Sequence, residues 1–148
     1  MLIWIHGVGA LIALMVAIFI FILKKGTSMH RALGGIFVVS MASSMIISFW
    51  ILGSGHLSII HGLSAFGLYN LALGVYAIKQ KPENWLKKHI RGMGSCCIAL
   101  VTAGAGVLGR SVFQDSGIHW VWFLLAGLIV SNVLFVLWIR SFKKNLKK

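Results

Sequence analysis

Six histidines stand in a chain of 148 residues that is 59% apolar, and four of them fall into a pattern. His6 and His61 each occupy an Ile-His-Gly triplet near the head of an apolar stretch. His30 and His89 each adjoin basic residues, in Met29-His30-Arg31 and Lys88-His89-Ile90-Arg91. A neutral imidazole offers one nitrogen lone pair to a metal while its other N–H is oriented by a nearby acceptor. An imidazole in lipid is costly and generally marks a site. Two opposed imidazoles, with small residues above and below, can ligate a haem iron from both faces. The plain alternative for His30 and His89 is a solvated interfacial side chain. For His56 and His119, at the ends of apolar stretches, the plain reading is the expected one.

The elements that must position these rings are membrane helices. Five apolar stretches run Leu2–Leu23, Ala32–Leu52, Leu57–Ile78, Gly92–Gly109 and His119–Ile139, and none contains Lys, Arg, Asp or Glu. About 20 residues at 1.5 Å rise cross a bilayer core. The expected fold is all-α: a polytopic membrane protein with five transmembrane helices in one domain over 1–148. Met1 to Leu23 lacks a basic head and a small-residue cleavage site, so it is expected to be a retained helix and not a signal peptide. Cys96 and Cys97 are neighbours within one stretch and read as small packing residues.

The net charge of +12 raises the question of nucleic acid, and its distribution excludes that role. Lys24, Lys25 and Arg31 fall in the first connection. Lys79, Lys81, Lys87, Lys88 and Arg91 fall in the third, and Arg140, Lys143, Lys144, Lys147 and Lys148 follow the last stretch. With five crossings all of these share one side, and only Arg110 lies on the other. This positive-inside bias predicts a bacterial inner-membrane protein with its N-terminus outside and its C-terminus cytoplasmic. The basic tail is expected to meet anionic headgroups of the lipid bilayer.

Local signals refine the picture. On the first stretch Ala10, Ala13 and Ala17 share a stripe with His6, open to a neighbouring helix or a flat ligand. Gly26 is expected to end the first helix, and Thr27 or Ser28 to cap the second, with His30 in its first turn. The serines at 40, 43, 44 and 48 are expected to bond carbonyls of their own helix, and Asn70 to bond another helix. Gly53 to His56 should form an outer turn. Pro82, followed by Glu83, predicts a helix start near 82, with His89 about two turns in. The glycine-rich fourth stretch is expected to pack centrally. The fifth opens on the aromatic anchor His119-Trp120-Val121-Trp122 and should be peripheral.

The first and third stretches align at a constant offset of 55, matching Ile5-His6-Gly7 with Ile60-His61-Gly62 and Lys24 with Lys79. His30 matches His89 at an offset of 59. The chain thus divides into repeat one at 1–54, repeat two at 55–110, and a fifth helix with a basic tail at 111–148. Both copies start on the same side, which predicts a parallel repeat about an axis along the membrane normal. That axis sets His6 across from His61 and His30 across from His89, in layers roughly 25 Å apart at 1.5 Å per residue.

The stretch Lys25-Gly26-Thr27-Ser28-Met29-His30-Arg31-Ala32-Leu33-Gly34 resembles the hallmark of a bacterial family of small membrane proteins of unassigned function. His6-Gly7, His61 and Lys87-Lys88-His89 also fit, so the likeness covers residues 1–110. The order of histidines further resembles the four-helix core of the cytochrome b561 family. That resemblance implies two bis-histidine haems b, with His6 and His61 holding the outer and His30 and His89 the inner. Arg31 and Arg91 would stand where propionates emerge, and Arg110 could serve outside. It implies transmembrane electron transfer, with quinol or a redox protein as partner. The chain departs from that family in its shorter connections, its single helix beyond the core, and the lack of an ascorbate-binding motif.

The competing expectation is a non-haem metal-binding or structural membrane subunit, with zinc held near His6, His56 and His61. Zinc takes three or four converging ligands, and no carboxylate or cysteine is there to complete such a set. A hydrolytic triad is excluded, because Glu83 and Asp115 lie outside the stretches on opposite sides. Enzymatic activity beyond electron transfer therefore stays open without a candidate catalytic residue. The glycine-rich faces leave room for a homodimer.

Overall fold

The computed structural model describes residues 1–51, 59–113 and 118–145. The turn at Gly53 to His56, the start of the third stretch at Leu57, Asp115, and the terminal Lys147 and Lys148 lie outside the described residues. Five helices follow in order: α1 (Leu2–Ile22), α2 (Ser28–Ser48), α3 (Ile59–Gln80), α4 (Trp85–Val112) and α5 (Val121–Asn145). Among the described residues there is no strand. Among the described residues four segments are long and apolar enough to cross a membrane: Leu2–Ile22, Ser28–Ser48, Trp85–Val112 and Val121–Phe142. α3 has the length, 22 residues, with His61, Ser64, Tyr69 and Asn70 along it.

The chain divides into two compact units, Met1–Cys96 and Cys97–Lys148. In the first, α2 packs against both α1 and α3. α1 buries only Ala13 and Ala17 and leaves Trp4, Leu11, Ile18, Phe19 and Ile22 at least half exposed. Such a surface suits lipid and would be unfavourable in water. α2 buries Phe37, Met41, Ser44, Met45 and Ser48, a stripe at i, i+4 and i+8 spacing that matches its place between two neighbours.

Small residues set the helix spacing. A Cβ on Gly9 would lie 3.4 Å from both the Ser40 carbonyl and Ser44 Cβ, and Ala13 and Ala17 of the small stripe are buried where α1 packs on α2. A Cβ on Gly92 would lie 2.7 Å from the Asn70 carbonyl and 2.7 Å from the Gly74 nitrogen. α3 and the first turns of α4 therefore meet backbone to backbone, the mode that small residues permit in lipid. In the second unit, Gly106 and Gly109 receive Leu124 and Phe123, and Gly127 receives Ala105.

The connections differ in part from their sequence reading. The first turns through Gly26 at φ +81°, and Thr27 caps α2 by accepting from the His30 N–H at 3.2 Å. The second hairpin starts its helix at Trp85 and not at Pro82. Lys81 and Asn84 both take positive φ, at 45° and 59°, and Trp85 N–H bonds the Pro82 carbonyl at 2.9 Å. A turn thus separates the proline from the helix, and His89 lies one turn in instead of two. Asn70 also departs from expectation: its amide donates to the Phe66 carbonyl of its own helix at 2.8 Å.

Candidate functional site

All four patterned histidines lie in the first unit, each within the first five residues of its helix. His6 heads α1 and His61 heads α3. Both meet the last turns of α2, His6 at Ser44 and His61 at Phe49. His30 heads α2 and His89 heads α4, toward the start of α2. Fourteen residues of helix separate His30 from Ser44, roughly 21 Å at 1.5 Å per residue.

At the first of these ends, His6 Nδ1–H donates to the Ser44 carbonyl at 2.8 Å. A carbonyl only accepts, so this bond fixes the proton on Nδ1 and leaves Nε2 as the lone pair. The Ser44 hydroxyl lies 3.1 Å from the same Nδ1 and donates back to the His6 carbonyl at 2.9 Å. This reciprocal clasp ties α1 to α2 and sets the ring's orientation. Ser44 was expected to bond its own helix, as Ser48 does to Met45 at 2.7 Å. The signal for its different role is the i, i+4, i+8 row Ser40, Ser44, Ser48 on one face of α2. His61 is 7% exposed, and its ring lies 6.1 Å from that of Phe49 at a tilt of 41°.

At the other end, His89 Nδ1–H donates across to the Gly74 carbonyl at 3.0 Å. The Gly74–Gly92 contact brings the two helices close enough for that bond. His30 has a buried Nδ1 with no hydrogen-bond partner among the described residues, and it lies near enough to Lys25 and His89 for their charges to act on it. Lys25 is half-buried. Its ammonium donates to the carbonyls of Ile20, Phe21 and Leu23, the unsatisfied acceptors at the end of α1. Burial pulls the Lys25 pKa below the ordinary lysine value. Sequence reasoning did not single out Lys25 among the basic residues, because its fixed position arises only from the hairpin.

The arginines are less engaged. Arg31 is exposed and reaches the Gly26 carbonyl at 3.4 Å. Arg91 and Arg110 are exposed, with Arg110 in the last turn of α4. His119 accepts the Val121 N–H at 3.4 Å and stacks on Trp120, so it serves the start of α5. His56 lies outside the described residues.

These rings fit bis-histidine haem ligation in three respects. Two of the four donate Nδ1–H to a backbone carbonyl, the arrangement that orients a ligating imidazole and raises its basicity. A third, His30, keeps a buried nitrogen without a hydrogen-bond partner among the described residues. Gly7, Gly34, Gly35 and Gly62, close in sequence to His6, His30 and His61, stand where an added Cβ would meet nothing within 4 Å. Among the described residues no three of His, Cys, Asp and Glu gather at one place. The zinc set His6, His56 and His61 includes His56, which lies outside the described residues. No family model, no curated protein and no solved structure matches the chain.

Proposed function

We propose that the protein is a b-type dihaem cytochrome of the bacterial inner membrane that carries electrons across the bilayer. In this reading α3 also crosses the membrane, giving five spans. The two-helix repeat sets His6 and His61 about one haem on the outer side, and His30 and His89 about the other on the cytoplasmic side. The observation that carries it is the pair of Nδ1–H bonds, His6 to Ser44 and His89 to Gly74, one at each end of the same helical unit. Each leaves Nε2 as a donor pair with its ring already oriented.

The haem supplies one-electron redox chemistry when bound. The chain's own residues hold and orient it. Ser44 and Gly74 aim imidazoles, Phe49 covers His61, and the open glycines leave room for a flat group. Exposed Arg31 and Arg91 are available to propionates at the cytoplasmic surface. The apolar helices keep water away from the rings, and no carboxylate lies within a span to relay protons. Electrons would be exchanged with quinol or a redox protein at either surface.

The test is the reduced-minus-oxidised absorption spectrum of the protein purified from cells supplied with haem, together with elemental analysis. A b-type band with iron supports the reading. Zinc without a haem band would replace it with the metal-binding alternative, and neither metal nor band would leave a structural subunit.

A further inference from the structure

Lys25 differs from the other basic residues near the candidate site in being half-buried and held by three carbonyls. Its ammonium is held on the carbonyls of Ile20, Phe21 and Leu23, while Arg31, Lys87, Lys88 and Arg91 are exposed. Exposed charges move and are screened, so they contribute little to a neighbour's energetics. A half-buried charge in a fixed place acts at lower effective dielectric. The hairpin fixes where that charge lies. Gly26 at φ +81° reverses the chain, and Thr27 then caps α2 through the His30 N–H, so one tight turn separates the tethered ammonium from His30. Within the unit Met1–Cys96 the other end has no counterpart, since residues 1–23 and 32–78 contain no Lys or Arg.

We propose that Lys25 is a positioning charge that makes the His30/His89 site a better electron acceptor than the His6/His61 site. The inference rests on the dihaem reading above. Adding one electron lowers a site's charge by one, and a fixed positive neighbour stabilises that state. The end of α1 reinforces the sign. Its carbonyls form the negative pole of the helix, and Lys25 covers them, so removing the ammonium exposes His30 to that pole as well. At equilibrium a single electron shared by the two sites therefore resides on the His30/His89 site. With haem held at both sites, one electron would leave the His6/His61 site and enter the His30/His89 site, with no proton or bond changing hands. Transfer from outside to cytoplasm is the downhill direction.

The test is a potentiometric titration of the full-length haem-loaded protein, followed by absorbance. Two single-site proteins assign the midpoints: His6→Ala retains the His30/His89 site, and His30→Ala retains the His6/His61 site. The retained His30/His89 site is expected to have the higher midpoint. In Lys25→Gln its oxidised-to-reduced ratio at fixed potential is expected to rise about tenfold, a downward shift of about 59 mV for one electron. The other midpoint should stay in place, and Lys25→Arg should keep the wild-type value. An unchanged midpoint in Lys25→Gln, an equal shift at both sites, or the reverse order of the two single-site proteins would overturn the proposal. The order of the single-site proteins decides it even if Lys25→Gln fails to assemble. A wild-type protein without a haem band would instead remove the dihaem reading itself.

Discussion

The two ends of the unit Met1–Cys96 present the same donor, imidazole, in different surroundings. At one end His6 is clasped to α2 by Ser44 and His61 lies against Phe49, in stretches without Lys or Arg. At the other, His89 reaches across the Gly74–Gly92 contact while His30 stands under a helix cap beside a tethered lysine. The first end is organised by a side-chain clasp, the second by backbone proximity and charge. In the proposed reading, this contrast would give one ligand type two different electrostatic settings. It also gives the ends different weak points.

The largest expected effect separates them outright. His61→Ala should abolish one haem and spare the other, and His89→Ala should do the same at the opposite end. The haemochrome-to-protein ratio of each variant checks this, and loss of all haem from either would mean that the ends are not independent. Gly92→Ala comes next. Its Cβ would collide with the Asn70 carbonyl and the Gly74 backbone, and overpacking of this kind costs about 1–3 kcal/mol. Thermal unfolding in detergent should show that loss, with haem depleted from the His30/His89 end alone.

Thr27→Ala should destabilise the start of α2 by about 1 kcal/mol, the usual worth of an N-cap. It should broaden the spectrum of the His30/His89 site without removing its haem. Ser44→Ala is subtler, because the backbone carbonyl that accepts from His6 survives the change. Only the hydroxyl bond to the His6 carbonyl is lost, worth about 0.5–1.5 kcal/mol, and the spectrum should stay b-type. The smallest effect is expected from His119→Ala, a change of about 0.5 kcal/mol or less with both haems intact by absorbance.

Much of this was legible in the chain itself. That the chain is helical followed from its apolar runs, with four of its helices long and apolar enough to cross a membrane among the described residues; of the two cap candidates, Thr27 and Ser28, Thr27 takes the role. The role of Ser44 was harder to see. A serine on a membrane helix usually satisfies itself on its own backbone, and only the packing of Gly9 against Ser40 and Ser44 turns it toward α1. Pro82 pointed to a helix start that the left-handed Lys81 and Asn84 postpone to Trp85. Lys25 could not be told from its neighbours by type or spacing, since its tether depends on the three-dimensional path of the hairpin. The stripe on α1 was read as open to a helix or a ligand, and α2 covers its deeper part at Ala13 and Ala17.

The central claim, two sites each formed by a pair of imidazoles, is tested most directly by counting haem and low-spin ferric centres per chain in the purified wild-type protein. Two haems per chain, both giving the low-spin electron paramagnetic resonance of bis-imidazole iron, is the expected result. A chain from haem-replete cells that holds no haem, or holds iron only in a high-spin state with an open axial position, would contradict it.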